Sequence, residues 1–191
     1  MRAMAPPLLA ALTATASLGA SLGASACGSS PPHTTGTAPA AADEAFGPLE
    51  VGADSATYRR LTTDRFRSLV HGNRFVHVYA NEVGADAYLA GGDIPVGTIL
   101  VKESVENVDG QPSDIPGPLY IMQKRAKGYA PAHDDWWYAI YWATPPAADR
   151  QQFGGPIYWR GASPRVNYCW KCHDDYVNSV GGLVPSSLLP R

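Results

Sequence analysis

Cysteine and charge are both scarce in this chain. Three cysteines among 191 residues are too few for the several bridges that staple a small secreted scaffold. Charged residues make up only 17%, and the formal net charge is −2. There is no basic excess to track a phosphate backbone, so nucleic acid is not expected as a partner. Methionine is rare too: of three, two fall within the first four residues. After the N-terminus no run approaches about 18 apolar residues, so no later membrane-spanning helix is expected. Apolar residues are plentiful by contrast, at 45%, which supplies the core of one ordinary domain.

The N-terminus reads as a targeting segment. "MRAMAPPLLAALTATASLGASLGASAC" has an early positive residue, Arg2, an uncharged Leu/Ala run, and small residues before Cys27. "ASAC" is similar to a bacterial lipobox, with Ala24 where leucine is usual. Residues 1–26 are therefore expected as a lipoprotein signal peptide and Cys27 as a lipidated N-terminus. The other reading is an ordinary signal peptide that includes a cysteine. Residues 27–46 are small, polar and proline-rich, and read as a tether. Residues 47–180 are the expected folded domain, and 181–191, with two glycines and two prolines, a flexible tail. These features place the protein outside the cytoplasm, held at the cell envelope through lipid alone.

Within the domain the pattern favours strands. "RFVHVYA" (Arg74–Ala80), "VGTILVKESV", "GPLYIMQKR" and "DWWYAIYWA" are rich in β-branched and aromatic residues. "NEVGADAYLAGG" reads as a short helix, capped at Asn81 and stopped at Gly91. "YCWKCHDDYVNSV" has neither proline nor glycine and reads as helical. The expected fold is β-rich α+β: an antiparallel sheet with short helices, one of which carries the chemistry near the C-terminus.

That chemistry lies in "NYCWKCHDD", with Cys169 and Cys172 two residues apart and His173 directly after. Three chemistries use such spacing. A structural zinc needs four ligands, and only the isolated His33, His71, His77 and His133 remain to complete it. A redox pair or disulfide belongs at a helix start in a βαβ context, which this chain lacks. Haem attachment fits best. One helical turn brings both thiols to one edge of the ring, where they add across the vinyl groups, and the adjacent histidine reaches the iron. Met122 is the one methionine left for the opposite face, and it sits in a strand, where a core role is expected. The iron is thus expected to be five-coordinate, open to small molecules.

"VYAN" (Val78–Asn81), "PVGTILVKE" (Pro95–Glu103), "LYIMQKRAKGY" (Leu119–Tyr129), "DWWYAIY" (Asp135–Tyr141) and "CWKCH" follow one another in order. In this set the chain resembles the cytochrome P-460 family, β-rich c-type haem proteins related to cytochrome c′-beta. The resemblance covers nearly all of the domain after Tyr58. It implies a haem c against an antiparallel sheet, with thioethers at Cys169 and Cys172 and His173 as axial iron ligand. In its enzyme members a lysine is bonded to a meso carbon of the porphyrin, and Lys102 matches that lysine. Members oxidise hydroxylamine, or bind nitric oxide where the cross-link is missing. A small nitrogen-oxide substrate or ligand and an electron-accepting cytochrome are the implied partners, and a homodimer is left open. The alternatives are a nitric-oxide binding or electron-carrier haem lipoprotein, and a haem-free lipoprotein with a Cys169–Cys172 disulfide.

The residues themselves allow two readings of Lys102. Along a strand it alternates with Leu100 on one apolar face while Ile99 and Val101 take the other, so burial would free its amine as a nucleophile. It could equally snorkel at the strand's end, with Glu103 and Glu106 marking solvent. Trp136, Trp137, Tyr138, Tyr141 and Trp142 are expected in the core, some of them lining the haem. His71 and His77 are expected as structural or surface residues. Glu103, Asp134 and Asp135 are the candidate proton acceptors, each expected to be solvated.

Overall fold

The computed structural model describes residues 48–153 and 155–190. The expected signal peptide, the expected tether and Cys27 lie outside them. Seven strands form one antiparallel sheet: β1 (Arg59–Arg60), β2 (Phe66–Ser68), β3 (Arg74–Ala80), β4 (Ile99–Val108), β5 (Gln111–Lys124), β6 (Trp136–Trp142) and β7 (Ile157–Arg160). Their order is β1-β3-β4-β5-β6-β7, with β2 also pairing to β3. Among the described residues three short α-helices accompany them: α1 (Ala85–Ala90), α2 (Ala147–Phe153) and α3 (Asn167–His173). The architecture is the expected β-rich α+β fold.

The period-2 alternation of the strands divides the core in two. Rungs of paired residues run across the sheet: Val78, Lys102, Tyr120 and Ile140 in one, Ala80, Leu100, Met122 and Tyr138 in the next. This face joins Val166, Val180 and Val184 in the larger cluster. The intervening residues Val101, Ile121, Ala139 and Trp137 pack with Tyr158 on the other face. At roughly 1.5–3 kcal/mol for each large side chain fully buried, both faces contribute to holding the sheet.

β5 begins earlier than the expected start at Gly117, despite Pro112, Pro116 and Pro118. Only its second half, from Leu119, pairs with β6. The first half therefore has one free edge, where a missing N–H does no harm. The pairing with β4 also shifts register beyond Glu103, a bulge beside Lys102 of the kind that re-aims side chains near a site. The β4–β5 connection is Asp109-Gly110, both at positive φ (51° and 85°), as a two-residue hairpin turn requires.

α1 ends at Gly91, left-handed as expected, but its N-cap is Gly84 rather than Asn81. Asn81 instead stitches two segments together: its Nδ2 donates to the Gly97 carbonyl and its Oδ1 accepts the Ile99 N–H. The terminal helix is also shorter than expected and stops at His173. Asn178 and Ser179 sit at left-handed φ, 52° and 59°, which no continuing α-helix allows. Residues 181–190, expected as a flexible tail, pack: Val184 is buried, Leu183, Leu188 and Leu189 lean on the core, and the Leu188 carbonyl accepts the Thr63 N–H at 2.8 Å.

Candidate haem site

α3 lies over the first face of the sheet and leaves a cavity between them, with an empty volume of about 950 Å³ that is partly open to solvent. Cys169, Cys172 and His173 line it from the helix. Lys102, Tyr120, Met122 and Tyr138 line it from the strands, and His71 from the turn before β3. The sequence-selected Cys169, Cys172, His173 and Lys102 thus all meet at one cavity.

The three helix residues are placed by one turn. Cys169 is partly buried, Cys172 exposed, and both thiols are free. His173 is buried at 5% exposure. Its Nδ1–H donates to the Ser179 carbonyl at 2.7 Å, so the lone pair of Nε2 is free to bind. Burial, with the Lys102 charge nearby, pushes His173 down to about 4, which keeps the ring unprotonated and able to ligate a metal. Burial pushes the Cys169 thiol up to about 12, partly opposed by Lys102.

Lys102 is half-buried and turns into the cavity. Its amine lines the cavity, with Nζ 3.3 Å from His71 Nε2. Burial lowers it to about 8, against the opposing pull of the two cysteines. His71 is pushed down to about 2, by burial first and then by the charges of Lys102 and His173.

The two histidines expected as structural or surface residues part company. His77 takes the opposite face, buried, with Nδ1 2.9 Å from Thr62 Oγ1. His71 enters the cavity. No periodicity marks it, because it ends a three-residue 3-10 turn, Leu69–His71, outside any strand; the nearest local signal is Ser68 three residues earlier, whose Oγ meets His71 Nδ1 at 2.6 Å.

None of the expected carboxylates reaches the cavity. Glu103 turns to the other face and pairs with Arg65 at 2.9 Å. Asp134 pairs with Lys124 at 2.8 Å, and Asp135 accepts the N–H groups of Gly128 and Ala130. The carboxylate on the cavity wall is Asp175, two residues past His173. Of the aromatics, Tyr138 lines the cavity beside His173, ring centroids 5.5 Å apart. Trp137 packs on the far face.

A family model for cytochrome P-460 matches residues 55–179. The chain belongs to the cytochrome P-460 family. No curated protein matches it. As a cytochrome P-460 family member it is a c-type haem protein, whose cofactor is haem c with iron. The site fits that group. It combines apolar walls (Val78, Leu100, Met122), two free thiols within one helical turn and a buried imidazole with its metal-binding nitrogen unencumbered.

Proposed function

We propose that this cytochrome P-460 family protein carries one haem c, joined by thioethers to Cys169 and Cys172 and ligated through His173 Nε2. We propose further that it oxidises hydroxylamine at an open iron site and passes the electrons to a partner cytochrome. The haem supplies the redox chemistry. The chain's own residues orient it, keep bulk water off its inner face, and modify it.

The observation that carries the reading is the Lys102 amine inside the cavity. A lysine held there costs stability that only its partners in the cavity can offset. Lowered to about 8, a useful fraction of it is neutral near neutral pH and nucleophilic. In this reading Lys102 bonds to the porphyrin edge, as the lysine of hydroxylamine-oxidising members does. Asp175 is the cavity carboxylate that takes protons from the substrate. The apolar walls favour a second reading, a nitric-oxide binder on the same site, in which Lys102 stays unbonded.

Purified, matured protein decides between them. The enzyme reading expects hydroxylamine-dependent reduction of an added cytochrome and a main absorption band at longer wavelength than an ordinary haem c. Lys102→Ala should keep the haem, return the spectrum to the ordinary one and lose most of the turnover. Equal turnover and an equal spectrum in Lys102→Ala would sink it, and rapid nitric-oxide binding without turnover would install the second. We also propose that Cys27 anchors the protein to the envelope by lipid, motivated by "ASAC". Labelled palmitate should enter the wild type and not Cys27→Ser.

A further inference from the structure

His71 faces the cavity and has no part in the reading above, yet its imidazole is held on several sides. Nδ1 lies 2.6 Å from the Oγ of the buried Ser68. The ring meets Tyr120 edge-on, centroids 4.6 Å apart at 66°. The Tyr120 hydroxyl donates to the His71 carbonyl at 2.8 Å, and Gly72, left-handed at φ 73°, ends the turn behind it. What this anchoring presents to the cavity is Nε2, 3.3 Å from Lys102 Nζ. In the tautomer that donates Nδ1–H to Ser68, Nε2 is bare and can only accept, and a lysine amine is the donor that meets it.

We propose that His71 is a positioning residue for Lys102. Its Nε2 holds one amine N–H, and so turns the nitrogen lone pair toward the haem edge. This rests on the cross-link proposed above. In that step a bond forms between Nζ and a meso carbon, while one N–H and the meso C–H break. Two protons and two electrons leave; hydrogen peroxide, the added oxidant, takes them up and becomes two waters.

A side chain that only filled space would be replaced without loss by another ring. The test is therefore His71→Phe, which keeps a ring and removes the acceptor, against His71→Gln, whose amide oxygen restores one. Full-length matured protein is treated with peroxide and digested. The yield of the peptide joining Lys102 to the Cys169–Cys172 haem peptide is then measured by mass spectrometry, with thermal melting to confirm folding. Misplacing a reacting group by about 1 Å can cost about a hundredfold in rate, so His71→Phe should lower the early yield by about tenfold or more and His71→Gln should recover most of it. Full yield in His71→Phe overturns the proposal, as does a His71→Gln no better than His71→Phe. A wild type with no joined peptide sinks the cross-link reading instead. The contact is then read separately, from the ¹⁵N resonance of His71 Nε2 in ferrous, carbon-monoxide-saturated protein before peroxide. It should move downfield in Lys102→Met, and an unmoved resonance overturns the role of His71 by itself.

Discussion

The Nδ1–H of His173 donates to the carbonyl of Ser179, six residues on, at 2.7 Å. The bond exists because the chain leaves its helix at His173 and passes through left-handed backbone at Asn178 and Ser179. It orients the ring and settles which nitrogen carries the proton.

Ser179 should therefore respond to backbone change. Ser179→Gly accepts the φ of 59° without a Cβ clash and should stabilise by about 1 kcal/mol, leaving the spectrum alone. Ser179→Pro forces φ negative and removes the N–H given to Tyr176. It should cost about 3 kcal/mol or more and disturb the iron–histidine absorption, with thermal melting and the ferric spectrum as the measurements.

The paired thiols should hold haem through boiling in detergent. In Cys169→Ala with Cys172→Ala, before any peroxide treatment, that staining should vanish from denaturing gels, since His173 ligation alone does not survive unfolding. Staining that persists in the double variant would transfer the attachment to Lys102.

Met122 lines the cavity but is packed in the core at 5% exposure. Met122→Leu should leave the resting spectrum unchanged, and the ferrous protein should bind carbon monoxide rapidly with or without it. A low-spin resting spectrum that collapses in the variant would make Met122 an iron ligand and turn the protein into an electron carrier.

Haem-free protein, made as Cys169→Ser with Cys172→Ser, should lose stability in acid. His173 titrates at about 4 when folded and at 6.5 when exposed. Between those values the unfolded chain binds a proton that the folded one refuses, so stability is full above pH 6.5 and falls as the pH drops toward 4. The loss from this group is on the order of 3 kcal/mol, at roughly 1.4 kcal/mol per pH unit. His71, lowered further to about 2, extends the loss below pH 4, and His71→Gln should flatten that part of a melting-temperature profile.

Local pattern carried much of this site. The one-turn spacing of Cys169, Cys172 and His173 is visible in five consecutive letters, because the proposed thioether attachment would constrain neighbours along the chain. The alternation of Lys102 with Leu100 assigned them a shared face, because a strand's period is two whatever surrounds it. "RFVHVYA" corresponds to β3 residue for residue, since a dense run of β-branched and aromatic side chains suits a buried strand.

Other features depend on contacts between distant segments. Which of two similar-looking histidines enters the cavity was decided by the pairing of β3 with β4, which turns His77 toward Glu103 on the far face, and by the turn that leaves His71 beside Lys102. The prolines of β5 became strand residues because β6 stops short of them. The terminal helix ended at His173, and the segment after it folded back over the cavity, because "DDYVNSV" holds no strong helix former although it lacks proline and glycine, and the turn back buries Val180 and Val184 against the sheet and gives His173 a carbonyl partner. Propensity is a sum over neighbours of tenths of a kcal/mol, whereas a single buried aliphatic side chain is worth roughly 1.5–3 kcal/mol. In this protein the sequence alone was enough where neighbours set the geometry, and the tertiary fold decided wherever burial could outbid them.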